Sequence, residues 1–281
     1  MATIAGVSSP ARPDCPLRAL LWSARLLVAT SWVSGFLFGT YILLFFGGTA
    51  LAGTAERWND SLAGLHDAAM PLATIAIGAH FATGGVLLLL GPVQLIGRLR
   101  RAYPALHRWL GRLYVLSAGA AGLGGLAFIL GKGTIGGAVM DLGFGLYGAF
   151  MVACAVLTFA HARAGRVERH RAWAIRLFAL TVASWLYRME YGFWIMTADT
   201  GMTAGFDGWF DRFMAFTFYL PNLAIAELFI RARRPGESAA ERLGAAAVLL
   251  AASASVVLAT FVFMSLYWAP GMVSGVTGAS L

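Results

Sequence analysis

Apolar residues along this 281-residue chain come in long, nearly unbroken runs, without the two-residue alternation of half-buried strands. Seven of these runs approach the ~20 residues that a helix needs to cross a hydrocarbon core about 30 Å thick. They fall at about 24–46, 71–96, 109–130, 142–162, 172–195, 212–231 and 244–268. Backbone groups in lipid must be satisfied within their own segment, so the runs are helices and not strands. The pattern therefore predicts an all-α, polytopic integral membrane protein with seven transmembrane helices. Glycines such as Gly119, Gly122, Gly124 and Gly125 in the third run predict close approach to a neighbouring helix. A cleaved leader is not expected, because the first run is too long for one and no convincing small-x-small site follows it.

The polar stretches between runs are short. The longest, about 47–70, contains Trp58 and mixed charge and suits a short surface helix. The loop 196–211 carries three glycines and three aspartates, and 232–243 reads as a polar turn. Nothing marks a separate soluble domain, so 1–281 reads as one membrane domain. Within it we expect a tail over 1–23, a four-helix core over 71–195 and a flexible tail over 270–281.

Composition agrees: 59% of residues are hydrophobic and only 12% charged, with a mean hydropathy of +0.73. The net charge of +8 is unevenly placed. Seventeen of the 21 basic residues, including Arg18, Arg25, Arg98 and Arg242, sit at one set of helix ends. Arg57, Lys132 and Arg212 sit at the other, and Arg188 lies within a run. By the positive-inside rule the arginine-rich side is cytoplasmic, the N-terminus inside and the C-terminus periplasmic. Glu56, Asp60, Asp67, Asp141, Asp199, Asp207 and Asp211 all fall on the outer side. The charge is thus a topology signal with attraction to anionic headgroups. It does not indicate nucleic acid, since no aromatic stacking pattern accompanies it. Cys15 and Cys154 lack metal-type spacing and read as free thiols. No phosphate-binding loop, HExxH, nucleophile elbow or Cys-His zinc pattern is present.

Two matched segments carry the candidate chemistry. One reads Leu106-His107-Arg108-Trp109-Leu110-Gly111-Arg112-Leu113-Tyr114, the other Arg169-His170-Arg171-Ala172-Trp173-Ala174-Ile175-Arg176. Each opens a run, and runs two–three and four–five form a weak repeat that puts His107 and His170 at matching depths. Four residues on lie Gly111 and Ala174, small enough to leave the helix face open to a flat group. Neutral imidazoles suit haem iron, with His107 and His170 as axial ligands, and Arg108, Arg112, Arg171 and Arg176 suit propionates. The same residues also suit a plain membrane-interface anchor, and both readings stand.

Other polar residues fall at membrane depth. His80, Arg188 and Glu190 are predicted to share one buried cluster, because intramembrane charges pair. His80, Gly84, Leu87, Gly91 and Gln94 form one helix face. Asn222 and Glu227 lie on the sixth run, Glu227 level with Arg112 and Arg176. There it is either an ion-pair partner or a quinone-site carboxylate.

His80, Gly91-Pro92-Val93-Gln94, His107-Arg108, Gly111-Arg112-Leu113-Tyr114, His170-Arg171, Trp173, Ile175-Arg176, Arg188, Pro221-Asn222-Leu223 and Glu227 resemble the bacterial membrane-protein family catalogued as domain of unknown function 2306. The likeness covers about residues 70–232. It implies an integral membrane protein of bacterial type with no assigned activity, and with the orientation above we expect a multi-pass protein of the bacterial inner membrane. A looser likeness is to cytochrome b561 and ferric-reductase cores, where histidines on four helices hold haem. His80 has no counterpart in the fourth run, where Leu142 and Gly143 stand, which limits that likeness to one haem; His161 is a substitute ligand.

Three functions fit. The first is a redox subunit with one haem b near the cytoplasmic face and quinone as partner. The second is a structural or accessory subunit of a larger bioenergetic complex. The third is a small-molecule or proton transporter with a path from His80, Arg188 and Glu190 toward Gln94 or Glu227.

Overall fold

The computed structural model describes residues 14–61, 65–69 and 71–279, except for the side chains of residues 72, 73, 76, 77, 79, 80, 82 and 132. Of the described residues 85% are helical, and none of them is in a strand. Seven long helical segments follow one another: α1 (Cys15–Leu51), α2 (Pro71–Leu95), α3 (Pro104–Lys132), α4 (Gly137–Arg163), α5 (Val167–Thr197), α6 (Trp209–Ala232) and α7 (Ala239–Thr277). Five of them, α1, α3, α4, α6 and α7, are long and apolar enough to cross a membrane. α2 has a shorter apolar described stretch, Thr83–Leu95. α5 has the length, at 31 residues, but carries Glu168, Arg169, Arg171, Arg176, Arg188 and Glu190.

Helix runs further at both ends of the chain than the apolar pattern alone indicates. Asp14 accepts from the Leu17 amide at 2.9 Å and caps α1, so residues 15–23, expected as tail, are helical. At the other end, Ala269–Thr277 is helix where a flexible tail was expected. The cause is a Gly271-x-x-x-Gly275 pair, which lets two backbones touch. A Cβ on Gly275 would meet the Leu44 carbonyl and Phe45 Cα of α1, and one on Gly271 would meet the Tyr41 ring. Arg57 adds a clamp, donating to the Ser274 hydroxyl at 2.6 Å. Trp58, expected on a surface helix, is buried instead and donates its indole N–H to the Phe46 carbonyl at 3.0 Å.

α6 is broken at Phe218–Tyr219. Pro221 supplies no N–H there, and the Asn222 amide donates to the Phe218 carbonyl at 2.8 Å. α2 packs on α3, α3 on α4, α4 on α5, and α5 returns to α2, with α6 against α4 and α5. In this ring α3 and α5 are diagonal. Gly122 of α3 meets Val152 and the Gly148 carbonyl of α4, whereas Gly124 and Gly125 face open space. α1 and α7 form a closely packed pair, with α1 also packed along α2, and the pair is joined at the arginine-rich end by Arg242–Asp14 at 2.7 Å.

Candidate functional site

The ring and the α1–α7 pair meet along α1 and α2 and elsewhere only in places. Leu88 of α2 lies on Gly35 of α1, and the Phe263 ring of α7 lies against Gly192 of α5. Toward the arginine-rich ends they enclose a cavity of about 2160 Å³, to which all seven helices contribute. Its walls are mostly apolar. Polar groups include His107, His170, Gln94, Thr158, Asn222 and Glu190.

His107 and His170 occupy the same place in their helices, the fourth residue of α3 and of α5. Each amide makes the first full helical bond of its segment, His107 to the Tyr103 carbonyl at 3.1 Å and His170 to the Arg166 carbonyl at 2.9 Å. They face across the diagonal of the ring, within electrostatic range of one another. His170 Nδ1 lies 3.0 Å from the Thr158 carbonyl oxygen. A carbonyl only accepts, so Nδ1 carries the proton and Nε2 of the neutral ring keeps its lone pair. The Thr158 hydroxyl is buried at the cavity wall and has no hydrogen-bond partner among the described residues.

Below the histidines the ring closes. Tyr114 and Thr181 share a hydrogen bond of 2.6 Å between α3 and α5, and Phe178 fills the space beside Gly91. This floor lies roughly 10 Å along α3 from His107, at 1.5 Å per residue. Ala174 lines the cavity. Gly111 also lines it, but its bare face is not free: the Gln94 amide oxygen lies 3.3 Å from where a Cβ would stand. The open face expected at Gly111 is therefore covered, because Gln94 reaches across from α2.

The four arginines expected around these histidines divide. Arg108, Arg112 and Arg171 line the cavity. Arg176 is not a lining residue, because it is engaged elsewhere: it donates to Glu227 Oε2 at 2.5 and 3.2 Å. Glu227 also accepts from Arg231 at 3.0 Å. The ion-pair alternative for Glu227 is thus the arrangement present. Glu168 holds Arg171 at 2.8 Å and Arg233 at 3.6 Å.

Of the cluster expected from His80, Arg188 and Glu190, the two members whose side chains are described, Arg188 and Glu190, do not pair with each other. The His80 side chain lies outside the described residues. Arg188 and Glu190 are two positions apart on one helix, hence about 200° apart around it. Arg188 donates to the Ser184 carbonyl at 2.9 Å. Glu190 lines the cavity with no hydrogen bond or ion pair among the described residues. His161 is not among the lining residues.

Sequence reasoning overlooked a threefold motif. Arg25 lies over the Trp22 ring at 4.8 Å, Arg112 over Trp109 at 4.9 Å and Arg176 over Trp173 at 4.6 Å. The signal was available as Trp-x-x-Arg near the start of four helices, a spacing that puts the side chains on one helix face; the fourth, Trp209 and Arg212, shows no such stacking among the described residues.

A family model described as a predicted membrane protein (DUF2306) matches residues 77–230. The chain belongs to that family. The matched stretch holds both histidines, Gln94, Glu190, Asn222 and Glu227. No curated protein and no solved structure matches the chain.

Proposed function

We propose that this DUF2306 protein is a seven-span protein of the bacterial inner membrane, arginine-rich end in the cytoplasm, that holds one haem b between His107 and His170. The observation that carries the reading is the fixed tautomer of His170: a ring whose Nδ1 is tied to the Thr158 carbonyl offers Nε2 to a metal, the arrangement usual for a ligating histidine. His107, at the equivalent helical position across the diagonal, supplies the second imidazole. Among the described residues no three His, Cys, Asp or Glu side chains are grouped to hold a bare metal ion. A two-histidine set instead suits a metal already held in a macrocycle. Arg108 and Arg171 at the cavity rim would face propionates, and the buried Thr158 hydroxyl gives the site an unused hydrogen-bonding group. When bound, haem supplies one-electron chemistry, and quinone in the surrounding bilayer is the proposed exchange partner.

Purified protein, loaded with haem during expression, should show a Soret band that His170→Ala abolishes. A colourless protein with native helicity and melting behaviour, after haem supplementation, overturns the reading.

A second reading rests on Glu190, an unpaired carboxylate in an otherwise apolar wall. It supports a proton or small-molecule path through the cavity. That path excludes Glu227, whose carboxylate is held by Arg176 and Arg231. Proton flux into liposomes that Glu190→Gln leaves unchanged removes this reading.

A further inference from the structure

A single cofactor does not account for the cavity. At about 2160 Å³ it is more than twice the upper end of the ~300–1,000 Å³ common for small-ligand sites. The surplus has a definite shape. The half-buried Phe178, Leu186 and Phe193 line it at helical spacing along one face of α5, with the buried Val182 and Met189 between them. With Arg171 at the near end this stripe runs 22 residues, about 33 Å. The facing wall comes from α1 and α7, where Ala252, Val256 and Ala259 keep it shallow. Such a groove is long enough for one acyl chain, which occupies about half of the ~30 Å hydrocarbon core.

Charge distinguishes its two ends. At the mouth, Arg98, Arg100, Arg101, Arg108 and Arg163 line the cavity, and none has an ion-pair partner among the described residues. Three of the five sit on one short helix, Gly97–Ala102, that links α2 to α3. Glu190 is the carboxylate at the far end. Five guanidinium groups without counter-ions form a site for phosphate, and the distant carboxylate repels an anionic head entering the wrong way.

We infer that the groove between α5 and the α1–α7 pair is a binding site for one anionic phospholipid of the surrounding bilayer, with its phosphate on Arg98, Arg100 and Arg101 and an acyl chain along α5. The inference does not rest on haem, because most of the chain-binding face, from Leu186 to Phe193, lies beyond the floor made by Tyr114, Thr181 and Phe178.

The test uses full-length protein in mild detergent, with and without haem, and native mass spectrometry to count retained lipid. The probes are phosphatidylglycerol and phosphatidylcholine of identical acyl chains, with glycerol 3-phosphate as chainless competitor. One phosphatidylglycerol should be retained at least tenfold more tightly than phosphatidylcholine. The triple variant Arg98→Ala, Arg100→Ala, Arg101→Ala should abolish that preference while helicity and melting stay unchanged. Ala252→Phe, which fills the groove, should weaken both lipids. Equal retention of the two lipids, or an unaltered preference in the triple variant, overturns the inference. So does displacement by glycerol 3-phosphate at the lipid's own concentration, since it shows that the groove contributes nothing. Absence of a Soret band leaves these readouts intact, so haem and lipid fail separately.

Discussion

The two His-Arg segments share a sequence plan and a helical position, yet their surroundings differ. Around His170 nearly every polar group is tied down. Its Nδ1 meets the Thr158 carbonyl, Arg171 meets Glu168, and Arg176 meets Glu227. Around His107 there is no such bracing: Arg108 and Arg112 have no carboxylate partner among the described residues, and Trp109 is 67% exposed. The difference comes from neighbours. α5 lies between α4, which presents the Thr158 carbonyl, and α6, which presents Glu227. α3 meets α2 and α4, whose facing residues include Gln94, Met151, Val152 and Ala155. Equivalent sequence fixed depth and direction; unequal partners made one histidine rigid and left the other adjustable.

That contrast predicts unequal losses at the proposed haem site. His170→Ala should remove the Soret band entirely, because it deletes the oriented ligand. His107→Ala should retain a weaker Soret band, since His170 stays in place. The reverse order, measured on equal amounts of folded protein, breaks the contrast outright.

The next largest effect is on stability. Glu227→Gln removes the charge that accepts three guanidinium hydrogen bonds and leaves half-buried Arg176 without a counter-ion. Charge-assisted bonds contribute roughly 1.5–3 kcal/mol, so a loss of about 2 kcal/mol is expected by unfolding in detergent. The corresponding change on α3, Arg112→Ala, removes only a cation–π contact and should cost less than about 1 kcal/mol. Equal losses at the two sites refute the idea that only α5 is braced.

Much of this architecture is legible in the sequence. The length of the apolar runs sets the helices, and arginine placement collects both histidines at one end. What hid was whatever depends on angle around a helix or on a distant partner. Arg188 and Glu190 look like a pair at similar depth, but two residues' separation turns them to opposite sides. Gly111 looks open because Gln94 arrives from another helix. The terminal helix Ala269–Thr277 looks like a loose tail, because Gly, Ser and Pro are poor helix formers by composition. Its order comes from the contact that Gly271 and Gly275 allow with α1. The cavity has no sequence signature at all, being the space left where the ring and the α1–α7 pair diverge.

A smaller effect tests a direct hydrogen bond between the two helices. Tyr114→Phe deletes the bond to Thr181 and should cost about 1 kcal/mol, the usual net value of a buried hydrogen bond. Thr181→Val should cost a similar amount, and the double variant should cost less than the sum, since both remove the same bond. Strict additivity means that the bond does not hold α3 to α5.

The smallest effect probes the segments' outermost charges. Arg171 bonds Glu168 at 2.8 Å, but the Glu168 side chain is 74% exposed, and exposed pairs contribute roughly 0.2–1 kcal/mol. Arg171→Ala should therefore destabilise the protein by about 0.5 kcal/mol at low salt. Arg108→Ala, which deletes no ion pair, should be neutral. Raising the salt to about 1 M shortens the screening length to about 3 Å, so the two variants should then melt together. If Arg171→Ala stays less stable in high salt, the bracing at α5 comes from packing of the arginine stem and not from charge. The asymmetry between the two histidine segments would then be one of shape.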